Sequence, residues 1–427
     1  MKRGQLLTQL ADGSLIPDLA PVYGSDAPAA AARLLELAEE FAGTFPCGGD
    51  TRTLLFSAPG RTELGGNHTD HQHGHGLAAS VDLDTIACVC PNDTSVIRIK
   101  SRHHRMAEID LNDLAVHPEE ADRSVSLLRG VAARFRQLGY ALGGFDAYTT
   151  TRVLRGGGLS SSAAFEVLVA TILNHLFCGD ALTATEIAQT AQYAENVYFG
   201  KPCGLLDQLA CATGGVLAVD FRNLDRPRIR RVQVDLASQG YAMCIVDTRA
   251  SHSDLTADYA AIIQEMRAVA ACLDCEVLGQ ADAARFRREL PRIRALCGDR
   301  AVLRAHHFFT EDARVSRQCD ALEAGDLPLF LELVRQSGLS SYMYLQNVST
   351  YRDSRCQPMA LLLALAEDLL GNRGACRVHG GGFAGTIQAF VPLDLLPAFT
   401  AEMEAAAGPG TCYTLRIRSS GSVPLID

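Results

Sequence analysis

The segment Leu154-Arg155-Gly156-Gly157-Gly158-Leu159-Ser160-Ser161-Ser162-Ala163-Ala164 constrains the fold of this chain more than any other. Three consecutive glycines permit a tight turn and a close backbone approach that side chains would block. The apolar run behind them (Phe165, Val167, Leu168, Val169, Ile172, Leu173) predicts a buried helix. A glycine loop ending in serines at a helix start presents unpaired N–H donors and the positive end of the helix dipole. Such a corner suits phosphate. No lysine follows the glycines at P-loop spacing, and the third glycine of a dinucleotide fingerprint is missing. A flexible turn with a serine cap would carry the same letters, so the loop alone does not fix the ligand.

Charge narrows the choice of partner. The 39 basic and 49 acidic residues leave a net −10, which argues against nucleic acid or an anionic membrane as the main partner. No stretch is apolar for long enough to span a bilayer. The start, Met1-Lys2-Arg3-Gly4, runs into a mixed polar segment rather than a signal-peptide core, so a cytoplasmic location is expected. Fourteen cysteines are scattered from Cys47 to Cys412. The single C-x-x-C, Cys272-Leu273-Asp274-Cys275, has no second pair at zinc spacing, and free thiols in a reducing compartment are expected.

With 427 residues the chain has room for two domains or one large one. Pro28 precedes an alanine- and leucine-rich stretch that predicts a helix over 29–41. Strands are expected over 53–57 and 85–90, with a turn at Pro59-Gly60 between them, and residues 147–153 read as extended. A helical pattern ends near Gly200, strands are expected over 215–220, 242–246 and 385–391, and helices dominate 256–336. Strands and helices mix without a regular βαβ rhythm, which makes the expected class α+β. The division is placed between residues 1–216 and 217–427.

Three more segments make chemical sense beside a phosphate loop. Residues 58–70 include Arg61, Asn67, His68, Thr69 and Asp70 in a glycine-bounded stretch suited to gripping a polyol. Glu195 and the later Cys203-Gly204-Leu205-Leu206-Asp207-Gln208 offer two separated carboxylates, one for a metal and one for an acceptor hydroxyl. His379-Gly380-Gly381-Gly382-Phe383-Ala384-Gly385 is another glycine turn before a strand.

These segments, in this order, resemble the galactokinase family of the GHMP kinase superfamily. Val22-Tyr23-Gly24 is similar to the family's sugar-binding leader, and Asn67-His68-Thr69-Asp70 stands where the family carries E-H-T-D. Gly156 to Ala163 matches G-x-G-L-S-S-S-A, and Gly200-Lys201-Pro202-Cys203-Gly204-x-x-Asp207-Gln208 matches the catalytic segment. Arg304-Ala305-His306-His307 through Ala324-Gly325-Asp326-Leu327, and the last glycine motif less one glycine at Ala384, complete the series.

The resemblance implies two α+β domains with the active site in the cleft between them. It implies a kinase that turns galactose and ATP into galactose 1-phosphate and ADP. Gly156, Gly157, Gly158, Leu159, Ser160, Ser161 and Ser162 would wrap the ATP phosphates, and Ser162 with Glu195 would hold Mg²⁺. Asp207 would face the anomeric hydroxyl, with Arg61 beside it to stabilise the transition state. Asn67, His68, Thr69, Asp70, Gly204 and Tyr259 would grip the sugar, Tyr259 being aligned through His252-Ser253. Phosphoryl transfer needs positioning and charge neutralisation above all, and Mg²⁺ usually takes only one or two protein ligands, so the set is physically sensible. Asp207 either takes the hydroxyl proton or merely orients it; the residues leave both open. A monomer is expected.

The sugar loop departs from the family. Asn67 replaces a glutamate expected to meet the hydroxyl on C6, and His71-Gln72-His73-Gly74-His75 replaces a different stretch. A neutral amide would spare a carboxylate at C6 the repulsion that glutamate offers, and titrating histidines would add positive charge. Galactose is the expected substrate, with galacturonate and N-acetylgalactosamine as alternatives. His68, His71, His73 and His75 are read as partly exposed loop histidines rather than a transition-metal site, because no cysteine or second carboxylate completes a set. A catalytically silent sugar sensor of galactokinase type is the alternative from another class. The Ser162-Ala163 pair, which such sensors lack, favours catalysis.

Overall fold

Two long antiparallel strands, β1 (Leu54–Gly65) and β2 (His75–Pro91), carry the centre of the molecule. Both are buried along nearly their whole length because alternate residues serve opposite cores. Leu54, Phe56 and Ala58 face the large core, whereas Leu55, Ile86, Cys88 and Cys90 face three N-terminal helices. Those helices are Arg3–Ala11, Ile16–Tyr23 and Ala27–Thr44, the last being the helix expected over 29–41. The computed structural model describes residues 1–46, 48–154, 157–201, 203–250, 255–350 and 355–427.

The remaining strands are β3 (Val96–Ser101), β4 (Ala107–Asp110), β5 (Phe145–Thr151), β6 (Val216–Asp220), β7 (Arg228–Val232), β8 (Tyr241–Asp247), β9 (Ala375–His379), β10 (Thr386–Pro392), β11 (Cys412–Leu415) and β12 (Val423–Ile426). Among the described residues the larger sheet runs β12-β1-β2-β5-β3-β4, with β6 paired to β2 and β7 to β6. The smaller sheet runs β11-β8-β10-β9. Among the described strand pairs only β3–β5 is parallel, and the class is the α+β expected. The larger sheet takes strands from both sides of residue 216.

The two sheets share one core. Met243, Ile245, Phe390 and Leu415 of the smaller sheet pack in the same cluster as Phe56, Leu77 and Leu168. The other face of the smaller sheet, with Cys244, Val246, Ile387 and Ala389, lies under the helices Pro358–Leu370 and Leu396–Ala407. A third helical cluster joins Thr256–Cys272 to the long helix Asp299–Glu323 around Met266, Phe286 and Phe308. No described helix is long and apolar enough to cross a membrane, and the described cysteines are all free thiols.

One local expectation is corrected. Pro59-Gly60 is not a turn; it lies inside β1, where the pairing with β2 slips between Pro59 and Arg61. A proline cannot donate to a ladder, and a bulge is where a sheet tolerates it. The bulge sets the direction of Arg61, the next side chain along.

Candidate active site

The glycine–serine loop is held by β1 and by His379 and Thr386 at the facing ends of β9 and β10. Gly158 has φ +66°, and a Cβ there would sit 2.8 Å from Nδ1 of His379, so glycine is required twice over. Ser160 is also left-handed, at φ 56°, and the helix Ser161–Phe177 starts directly behind it. Thr386 Oγ1 donates to the Gly157 carbonyl at 2.9 Å and lies 2.8 Å from His379 Nδ1. The backbone N–H of Glu63 donates to His379 Nε2 at 3.3 Å, which makes Nε2 an acceptor and leaves the ring proton on Nδ1. Burial holds this imidazole well below its ordinary range, and Arg61 and Arg377 push the same way. Gly156, expected in the same loop, lies outside the described residues.

Asp207 sits in the first turn of the helix Leu206–Thr213, where the helix dipole favours a carboxylate. Arg61 grips it through both fork positions, Nε to Oδ1 and Nη2 to Oδ2, each at 2.6 Å. The third nitrogen, Nη1, donates to the Gly158 carbonyl, and the Ser160 hydroxyl donates to Asp207. Burial opposes ionisation of Asp207, but the Arg61 guanidinium and these hydrogen bonds outweigh it and hold the carboxyl below the usual range. Asp207 nevertheless keeps 35% of its side chain exposed. A charged acceptor is thus wired to the phosphate loop and still reachable.

Glu195 comes from a wide helical turn, Ala194–Phe199, that continues the helix Ala184–Tyr193. Such π-turns recur at functional sites because they push one residue out of register. Ser162 Oγ lies 3.3 Å from Glu195 Oε1, and Gln208 Nε2 donates to Oε2 at 2.8 Å. Lys201 Nζ stands 3.5 Å from Oε1. A hydroxyl and a carboxylate converging in this way form a hard oxygen set that fits Mg²⁺. Behind them Glu166 is fully buried, and its Oε1 has no hydrogen-bond partner among the described residues. Burial, then the charge of Glu195, raises its carboxyl well above the ordinary range.

On the other side of Arg61, Asp70 and Gly204 meet. A Cβ on Gly204 would fall 1.7 Å from Asp70 Oδ2, so only glycine lets the two segments touch. Burial, and then the charge of Asp207, push the Asp70 carboxyl up to about 6. His68 Nε2 lies 3.0 Å from the Gly381 carbonyl, and the Tyr259 hydroxyl donates to the Gly382 carbonyl at 2.9 Å. The glycine turn after β9 therefore gathers His68 and Tyr259. His252 and Ser253, which aligned Tyr259 in the sequence, lie outside the described residues.

Two residues expected to grip the sugar turn inward instead. Asn67 is fully buried; its Nδ2 donates to Glu63 at 3.0 Å and to the Gly380 carbonyl at 2.6 Å, while Oδ1 accepts from Asn347 at 2.8 Å. Thr69 is also buried, its hydroxyl shared between the Gly66 and His75 carbonyls at 2.7 and 2.5 Å. Both close the loop and offer no hydrogen-bonding group to a ligand. Nor do three of the four loop histidines gather positive charge, because burial lowers His68 and His73 and takes His71 well below its ordinary range. His75 is raised by its hydrogen bond to Asp312, with burial opposing. Among the described residues no group of three or more His, Cys, Asp and Glu is placed to hold a metal. Tyr23, of the leader, gives its hydroxyl to Asp84 at 2.7 Å.

Sequence reading assigns no role to His379, Thr386, Gln208 or Lys201. Each stands within or next to a glycine-bearing motif, a position that could have drawn attention to it.

Comparison with known proteins accords with this geometry. Residues 126–215 match the family described as GHMP kinases N terminal domain, and residues 39–91 match the galactokinase galactose-binding signature. A galactokinase of Streptomyces coelicolor is 31% identical over 366 residues, covering 83% of this chain and 89% of that protein. The crystal structure of Lactococcus lactis galactokinase complexed with galactose superposes with a TM-score of 0.79 at 26% identity, over 92% of this chain and 99% of that one. The mevalonate kinase of Methanococcus jannaschii shares the fold alone, at TM-score 0.61 and 14% identity over 86% and 98% of the two chains. With a relative so similar over most of both lengths, and with the loop, the carboxylates and the arginine assembled in one place, the chain belongs to the galactokinase family.

Proposed function

We propose that this protein is an ATP-dependent galactose 1-kinase. One observation carries the reading: Arg61 and Ser160 join the Asp207 carboxylate directly to the glycine–serine loop. A hydroxyl resting on Asp207 would face a phosphate cradled by that loop. The oxygen of the anomeric hydroxyl attacks the γ-phosphorus, the bond to the bridging oxygen of ADP breaks, and the hydroxyl proton passes to Asp207. An anomeric hydroxyl is more acidic than an ordinary alcohol, so the weak base that Arg61 makes of Asp207 suffices. Gly157, Gly158, Leu159, Ser160, Ser161 and Ser162 supply the phosphate cradle, and the first turn of the helix lends its dipole. Ser162 and Glu195 would hold Mg²⁺, which when bound neutralises phosphate charge. Asp70, His68, Gly204 and Tyr259 form the sugar side.

Galactose is favoured over galacturonate by two findings. The Asn67 amide is enclosed by protein, and burial keeps His68 and His71 from supplying the positive charge a uronate would need. A panel of galactose, galacturonate and N-acetylgalactosamine with ATP and Mg²⁺ tests the reading through ADP release. The highest kcat/KM is expected for galactose, and Asp207→Asn is expected to lower kcat by about 10²–10⁴-fold while leaving nucleotide binding intact. Absence of ADP release with every sugar would make the protein a sensor.

A further inference from the structure

We propose that Lys201 is a further catalytic residue whose ammonium neutralises the phosphate in transfer. The inference rests on the kinase reading above. Phosphoryl transfer spreads negative charge over the equatorial oxygens of the moving group, and an enzyme must meet that charge with positioned cations. Arg61 is badly placed to do so alone. Three of its five N–H groups are engaged, two by Asp207 and one by the Gly158 carbonyl, which fixes the guanidinium beside Asp207 and leaves only two for a phosphate. The guanidinium is also nearly buried.

Lys201 has the opposite character. Its backbone N–H donates to the Glu195 carbonyl at 3.2 Å, so the base of the side chain is fixed beside the Ser162–Glu195 pair. Its head remains 63% exposed and touches Glu195 Oε1 only at 3.5 Å, long for a charge-assisted bond. The flexible four-carbon stem lets the ammonium move within this corner. Glu195 Oε1 also faces Ser162, and one oxygen cannot serve a bound cation and Lys201 equally. Once that oxygen is engaged, the ammonium is released toward the strongest negative charge then nearby, the phosphate chain over the loop. Lys201 thus stands beside the Glu195 carboxylate and meets the phosphate when ATP is bound.

Lys201→Met and Lys201→Arg in the full chain test this. For Lys201→Met, kcat is expected to fall by about 10²-fold, the loss typical of one charge-stabilising donor. Affinity for a non-hydrolysable ATP analogue with Mg²⁺, measured by calorimetry, should weaken by about tenfold, with the KM for galactose within about twofold of wild type. Lys201→Arg should recover most of kcat because it restores the cation. The proposal is overturned if Lys201→Met keeps kcat within about twofold while binding Mg²⁺ more tightly, since Lys201 would then be a counter-ion for Glu195 and nothing more. It is overturned equally if the variant loses galactose and nucleotide affinity together, the mark of a disturbed fold. If wild type itself turns over no sugar, the kinase reading falls and this proposal with it; if wild type is active and Lys201→Met equally so, only this proposal falls.

Discussion

Asp207 and Asp70 are neighbouring carboxylates in one site, and their surroundings drive them apart. Arg61 keeps Asp207 ionised, whereas Asp70 is half-buried beside that same negative charge and pushed up to about 6. Only an ionised carboxylate accepts hydrogen bonds at both oxygens, so a sugar hydroxyl would meet a full acceptor above that pH and a half-protonated one near it. The expected consequence is an acid limb in kcat/KM for the sugar, falling about tenfold per pH unit below 6, that is flattened in Asp70→Asn. A limb that persists unchanged in this variant would separate Asp70 from sugar binding. At this scale the letters of the chain were informative about residue type and silent about direction. Asn67 sits where a sugar ligand is expected, yet its amide is engaged by Glu63 four residues upstream and by Gly380 and Asn347 from distant segments.

Elements matter here mainly for where they begin and end. The bulge in β1 aims Arg61, the first turn of the helix Leu206–Thr213 carries Asp207, and a left-handed serine opens the helix Ser161–Phe177. The glycine spacing and the apolar run made the start of the helix Ser161–Phe177 legible, whereas the short helix Leu206–Thr213 carried no periodic signal of its own. A Pro-Gly pair carries the same local signal in a turn and in a bulge, and only the pairing of Pro59 with Asp84 decides for the bulge. The stretch containing Gly204 gives the sharpest element-scale prediction. An added methyl must displace Asp70 Oδ2, so Gly204→Ala should raise the KM for galactose by about 10²-fold and leave affinity for the nucleotide analogue unchanged. Equal losses for both ligands would mean that the segment as a whole had collapsed.

Across the whole molecule, buried polar groups stitch the sugar loop to the helices beneath it. His307, on the helix Asp299–Glu323, is fully buried, with Nε2 2.9 Å from the Asn67 carbonyl and Nδ1 2.9 Å from Ser340 Oγ. Burial lowers this imidazole from its ordinary 6.5 to about 4. An unfolded chain would therefore take up the proton first, so the stabilisation is complete above pH 6.5 and is lost as the pH falls toward 4. In urea denaturation the advantage of wild type over His307→Gln should shrink by about 2 kcal/mol between pH 6.5 and pH 5. A constant gap would show that the imidazole does not titrate on unfolding. The α+β class and the motif order could be read from the sequence, but the shared core between the sheets could not. Met243 and Phe390 join Phe56 in it only through topology, which local pattern does not encode.

That topology also bears on synthesis. β12, from the far end of the chain, pairs with β1, the strand that carries Arg61. A ribosome must release residues 423–426 before this flank of the sheet is covered. Until then this edge of β1 is an unpaired, apolar margin able to recruit foreign strands.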